Sequence, residues 1–125
     1  MNTFDLARCY VSLDGNGRTA KHEVSPDFWR TIGDNKSLLP TMIGVYPMTA
    51  DWPHWEMHPN GDELLTMLDG EITLILDQGG HESRVKLEEG KSFLVPAGAW
   101  HRALVPRLGR LLGVTYGKGT EHRPI

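Results

Sequence analysis

Apolar residues in this chain come in short blocks. From Leu39 onward the segments "TMIGVYPM", "ELLTMLD", "EITLILD", "RVKLEEG", "KSFLVPAG", "WHRALVP" and "RLLGVTYG" are rich in aliphatic and β-branched residues and are bounded by Gly, Pro or Asp. Blocks of this length at regular spacing predict short strands, and without long helical periods between them they predict an all-β antiparallel sandwich or barrel. Asp69-Gly70, between two apolar runs, predicts a hairpin turn, and Gln78-Gly79-Gly80 closes the second run. At most one short helix is expected, over Ser25 to Ile32: Ser25 can cap it, Pro26 suits its first position, and Phe28, Trp29 and Ile32 fall near one face.

The 125 residues suffice for one domain, in which residues 41–125 form the barrel and residues 1–40, richer in Gly, Asp and Asn, form an arm lying over it or reaching a neighbour. Apolar residues make up 39% of the chain, and no run approaches the ~20 residues that span a bilayer, so a membrane protein is not expected. The stretch "MNTFDLARCYVSLDG" lacks the apolar centre of a signal peptide, which makes the cytoplasm the expected location. Cys9 is the only cysteine, which excludes an internal disulfide. Thirteen Lys plus Arg stand against sixteen Asp plus Glu with no basic block, so nucleic acid is not an expected partner.

Chemistry concentrates in "HWEMHPNGDELLTMLDGE", which holds two histidines and several carboxylates. On a strand, His54, Glu56 and His58 share a face while Trp55 and Met57 point away. Pro59-Asn60-Gly61-Asp62 is a turn, and Glu63 then begins a strand that can come alongside His58. Pro96-Ala97-Gly98-Ala99 is a second turn, directly before Trp100-His101. Nothing local brings His101 to the first group.

The link is a resemblance. Gly90, five residues, Pro96, Ala97, Gly98, two residues and His101 match most of the second motif of the cupin superfamily, G-x5-P-x-G-x2-H-x3-N; His58, four residues, Glu63, six residues and Gly70 match part of the first, G-x5-H-x-H-x(3,4)-E-x6-G. The two motifs cover Ala50 to Val105. The resemblance implies a single jelly-roll β-barrel. Three positions depart from the pattern: Ala50 replaces the first Gly, Val105 replaces the last Asn, and Glu56 stands where the family has the first of its paired histidines. The family's site of three His and one Glu becomes Glu56, His58, Glu63 and His101.

Two carboxylates aimed at one spot in an apolar barrel cannot both ionise cheaply without a positive charge nearby. A divalent metal with imidazole and carboxylate ligands meets that need, and the oxygen-rich set favours Fe or Mn while allowing Zn or Ni. If Glu56 stays unbound, His58, Glu63 and His101 still make a two-histidine, one-carboxylate set; Glu56 is then an acid–base group or a salt-bridge partner. His54, beside Trp52 and Trp55, reads as a rim histidine that only a bulge would bring to the metal.

The resemblance implies either a metalloenzyme acting on a small polar molecule, of dioxygenase, isomerase or decarboxylase type, or a non-catalytic module that binds or senses a small ligand. A homodimer formed through the arm or an open edge strand is expected. His22, His81 and Glu121-His122-Arg123 read as solvated, Gly117-Lys118-Gly119-Thr120 as a turn, and Met42, Met48 and Met67 as core or pocket lining.

Overall fold

The computed structural model describes residues 2–125. Its strands are β1 (Cys9–Leu13), β2 (Thr19–Glu23), β3 (Thr41–Met48), β4 (His54–Met57), β5 (Glu63–Gln78), β6 (His81–Glu88), β7 (Ser92–Val95), β8 (Trp100–Tyr116) and β9 (Glu121–Pro124). The helix α1 spans only Phe28–Thr31 and runs into a 3-10 turn over Ile32–Asp34. Its N-cap is Asp27 rather than Ser25, with no capping side chain. Phe28 is buried against Tyr10 and Met42, but Trp29 is 54% exposed, so the two do not share a buried face.

All pairings are antiparallel, and the two longest strands organise them. The first part of β5, Glu63 to Met67, pairs with the last part of β8, Thr115 to Leu111; there β8 also holds β3, and β5 also holds β7. The second part of β5, Thr73 to Asp77, pairs with the first part of β8, Leu104 to Trp100; there β8 touches β4, and β5 holds β6. Two half-sheets result, β2-β1-β3-β8-β5-β7 and β9-β4-β8-β5-β6, sharing β5 and β8. Met48, Leu65, Met67 and Leu111 from the first pack with Ile72, Leu74, Leu76 and Ala103 from the second in one apolar core. This is the jelly-roll barrel that the strand pattern and the motifs predict.

The crossing between the half-sheets corrects two expectations. Asp69-Gly70 does not turn a hairpin, and "WHRALVP" and "RLLGVTYG" are not separate strands. Each pair of runs is one continuous strand, and β5 shifts register between Met67 and Thr73. The bulge also changes phase: Glu63, Leu65 and Met67 face inward before it, Ile72, Leu74 and Leu76 after it. An inserted residue swaps the faces of everything that follows, which lets one strand serve both half-sheets. Gly70 takes a φ of 76°, and a Cβ on Gly109 would collide with the Asp69 carbonyl, so the two strands approach closely only because both positions lack a side chain. Pro106 lies where β8 has no paired partner, so its missing N–H costs no ladder bond.

The first residues also carry regular structure. β1 pairs with β2 and with β3, which adds a hairpin to the first half-sheet. His22, read as solvated, is 5% exposed: its Nε2 lies 2.6 Å from Ser12 Oγ, which also accepts the Leu39 N–H at 3.0 Å. Alternation on β2 points His22 inward, and Ser12 on the neighbouring strand gives it a partner. The tail is ordered as well. Glu121-His122-Arg123 lies in β9, paired with β4; Glu121 and His122 are exposed as read from the sequence, but Arg123 is partly buried.

Candidate metal centre

Two turns build the site. Asp62, in the first, accepts the Ala97 N–H on Oδ1 at 2.8 Å; Gly98, in the second with a φ of 82°, donates its N–H to the His58 carbonyl at 2.9 Å. These bonds fasten the segment after β4 to the start of β8. Strand pairing supplies the rest: Glu56 on β4 faces His101 on β8, and Glu63 on β5 faces Thr115 on β8.

The structure thus brings Glu56, His58, Glu63 and His101 together, with one donor atom from each within 4.8 Å of all the others. His101 is fully buried, His58 and Glu63 are 5% exposed, and the Glu56 side chain is 25% exposed, so the cluster opens on the Glu56 side. His58 Nε2 lies 3.0 Å from Glu56 Oε1 and 3.3 Å from Glu63 Oε2; His101 Nε2 lies 3.1 Å from Glu63 Oε1 and 3.6 Å from Glu56 Oε1. His54 does not join them. It stands exposed at the rim, its ring edge-to-face with that of His122 at 4.9 Å.

The far side of each ligand is held. His101 Nδ1 lies 3.1 Å from the Ala99 carbonyl, which can only accept, so Nδ1 carries a proton. His58 Nδ1 lies 2.8 Å from Thr120 Oγ1, and the Thr120 hydroxyl donates to the Gly117 carbonyl at 2.8 Å. Glu63 Oε2 accepts from Thr115 Oγ1 at 2.5 Å. Each imidazole therefore presents Nε2 to the shared centre, and Glu63 presents Oε1.

The donor set fits a divalent ion. Ligands at about 2.0–2.2 Å from a metal, separated by tetrahedral or octahedral angles, lie about 3.0–3.5 Å from one another, which is close to the four His–Glu separations in this cluster. Glu63 Oε1 and His101 Nε2 are buried without a hydrogen-bond partner although they are neighbours. At 3.1 Å they form an ion pair while the ring is protonated, and both are free to ligate once that proton leaves. Two carboxylates would balance the ion's charge.

Without an ion the four groups neutralise one another. Burial, the largest influence on each, disfavours the charged forms, but the partners outweigh it. His101 and His58 hold the Glu56 and Glu63 carboxyls well below the usual carboxylate range. The carboxylates in turn push His58 up to about 9 and His101 up to about 10. Tyr46, desolvated and near the same acids, is raised as well.

Reasoning from the sequence missed Thr115, Thr120 and His122, whose Nε2 lies 3.4 Å from Glu56 Oε2. Their roles depend on pairings between strands distant in the chain, and no spacing in the sequence signals them.

A jelly-roll barrel with a clustered His/Glu donor set at its mouth defines the class. The Cupin domain model matches residues 43–106, just over half of the chain, and the chain belongs to this family. Solved structures agree on the fold. A cupin-2 domain containing protein from Shewanella frigidimarina superposes with a TM-score of 0.53 at 13% identity, covering 62% of this chain and 71% of that one. Fe(II)-HppE with the alternative substrate (S)-1-HPP gives 0.53 at 20% identity, over 62% of this chain and 43% of that one. Hydroquinone 1,2-dioxygenase PnpCD in complex with Cd2+ and 4-hydroxybenzonitrile gives 0.53 at 22%, over 62% and 58%. The matched part thus spans less than two thirds of both of these chains. No curated protein matches this sequence.

Proposed function

We propose that this cupin binds one divalent metal ion through Glu56, His58, Glu63 and His101 and acts as a metal-dependent enzyme on a small polar molecule, in a reaction of the dioxygenase, isomerase or decarboxylase type. The observation that carries the reading is the buried pair Glu63 Oε1 and His101 Nε2, 3.1 Å apart without a hydrogen bond, within 4.8 Å of donor atoms of Glu56 and His58. The solved cupins with Fe(II) or Cd2+ are consistent with it. The nitrogen and oxygen donors suit Fe and Mn, and also Zn or Ni. A bound ion would supply Lewis acidity toward a carbonyl, hydroxyl or dioxygen oxygen.

The protein's own share is positioning and proton handling. His58 and His101 are fixed from behind by Thr120 and the Ala99 carbonyl, so their orientation costs nothing on binding. Glu63 is tied by Thr115 and buried, which suits a fixed ligand. Glu56 is the most exposed of the four, and its Oε2 faces the rim, where it can take a proton from a substrate entering there. Trp52, with its ring 6.0 Å from that of His101, forms an apolar wall.

A second reading has its own support: two imidazolium and two carboxylate groups balance without a metal, and such a cluster can orient a small ligand in a non-catalytic binding or sensing module. Elemental analysis of freshly purified protein decides between them. Stoichiometric metal, lost in His58→Ala and in His101→Ala, is the expected result; metal-free protein that stays metal-free when Fe(II) or Mn(II) is supplied supports the second reading. Oxygen consumption by the Fe(II)-loaded protein then separates an oxygenase from an isomerase or a decarboxylase. We also propose a cytoplasmic homodimer joined along an edge strand, to be checked by light scattering on the eluting species; a monomer at micromolar concentration refutes it. Among the described residues, no helix is long and apolar enough to cross a membrane.

A further inference from the structure

The C-terminal strand reaches the site from two directions. Thr120, just before β9, stands behind His58; His122, on β9, stands beside Glu56. The Thr120 hydroxyl has one hydrogen, and the Gly117 carbonyl, 2.8 Å away, can only accept. With that hydrogen committed, Thr120 Oγ1 accepts from His58 Nδ1–H, which leaves Nε2 as the ring's lone-pair nitrogen. The register Glu56↔His122 between β4 and β9 puts those side chains on the same face, and Glu56↔His101 between β4 and β8 extends the row. Glu56 therefore sits between two imidazoles, with Oε1 toward His58 and His101 and Oε2 toward His122.

The strand is anchored from outside. Arg123 alternates to the opposite face, where it pairs with Asp77 at 2.5 Å and lies over the rings of Trp55 and Trp100, 5.0 and 4.6 Å from their centroids. Cation–π contacts and an ion pair on one residue hold a four-residue strand that would otherwise be too short to stay in place.

We propose that Thr120 and His122 are positioning residues of the metal site: Thr120 holds His58 with Nε2 free to ligate, and His122 holds Glu56 so that a single oxygen faces the centre. The inference rests on the metal reading proposed above. Neither residue belongs to the donor set, and both act through a ligand.

Co(II) titration of the full chain, read by visible absorption and by competition with a chromophoric chelator, tests it. Thr120→Val keeps the shape and removes the acceptor; it should weaken Co(II) binding by about 10–100-fold and alter the absorption bands, while Thr120→Ser restores both. His122→Ala should shift the bands and weaken binding about tenfold, and His122→Gln, which retains a side-chain N–H, should recover part of the loss. Because the His122 side chain is half exposed, its removal leaves the fold intact, and its spectrum decides the matter even where Thr120→Val does not fold. Wild-type Co(II) affinity and spectrum in His122→Ala and in folded Thr120→Val, with stoichiometric binding by the wild type, would overturn this inference and leave the metal site standing. Absence of Co(II) binding by the wild type would overturn both.

Discussion

Glu63 Oε1 and His101 Nε2 lie 3.1 Å apart in the interior, and neither makes a hydrogen bond. In the metal-free protein the two are a buried charge pair, and a cation that displaces the His101 proton would engage both atoms at once. Glu63→Gln keeps the volume and replaces one donor oxygen's charge. The variant is expected to lose bound metal, with affinity reduced by more than about a hundredfold, measured by elemental analysis after dialysis. Full retention of metal would show that Glu63 is not a ligand.

Protons and metal compete for the same nitrogens. In the metal-free protein His58 and His101 are raised to about 9 and about 10, so both are protonated at neutral pH, whereas a ligating Nε2 must be free of its proton. Metal uptake at pH 7 should therefore release protons, and affinity should climb with pH until about 10. Calorimetry in buffers of different ionisation enthalpy measures the release; identical heats in all buffers would contradict it.

The same shifts set the stability of the metal-free protein. The histidines are raised, so their contribution is complete below their unfolded value of about 6.5 and disappears as pH rises through about 9 and then about 10. The carboxyls of Glu56 and Glu63 are lowered, so theirs is complete above about 4.3 and is lost as pH falls below it. Melting temperature against pH should form a plateau between those limits. His101→Ala should remove its alkaline edge near 10.

The crossing of β5 and β8 depends on two positions without side chains. Gly109→Ala would drive a Cβ into the Asp69 backbone, and neither strand can yield without breaking its pairing. A loss of about 2–3 kcal/mol is expected in urea unfolding. Gly80→Ala has a left-handed φ of 83°, which Gly109 does not, but open space around it, so it should cost only about 1 kcal/mol. A loss at Gly109 no larger than that at Gly80 would mean that the crossing yields to the added Cβ.

Ser12, fully buried, serves both the Leu39 N–H and His22. Ser12→Ala strands both groups and should cost about 2–3 kcal/mol, seen as a lower urea midpoint with metal affinity unchanged, because the hairpin lies apart from the Glu56 cluster.

What local spacing reveals is the strand inventory and the two turns. Alternating runs marked β3, β6 and β7, and Pro and Gly placed the bends before Glu63 and His101. Asp69-Gly70 misled because a glycine with positive φ looks the same in sequence whether it turns the chain back or bulges a continuing strand. The choice was made by β8, whose partners on both sides of the bulge kept β5 extended. β9 was illegible for a related reason: "EHRP" has no apolar alternation, and it is a strand because β4 offers an edge and Arg123 finds Asp77 and two indoles.

The sequence alone determined the grouping of Glu56, His58 and Glu63, since spacing along a strand and across a tight turn is a local property, and it reached His101 only through the resemblance of two ordered motifs. Tertiary structure decided which other groups stand behind those four. Thr115, Thr120 and His122 are brought to Glu63, His58 and Glu56 by pairings that span 52, 62 and 66 positions of the chain, and the register of such pairings is set by the packing of both half-sheets, which no short stretch encodes.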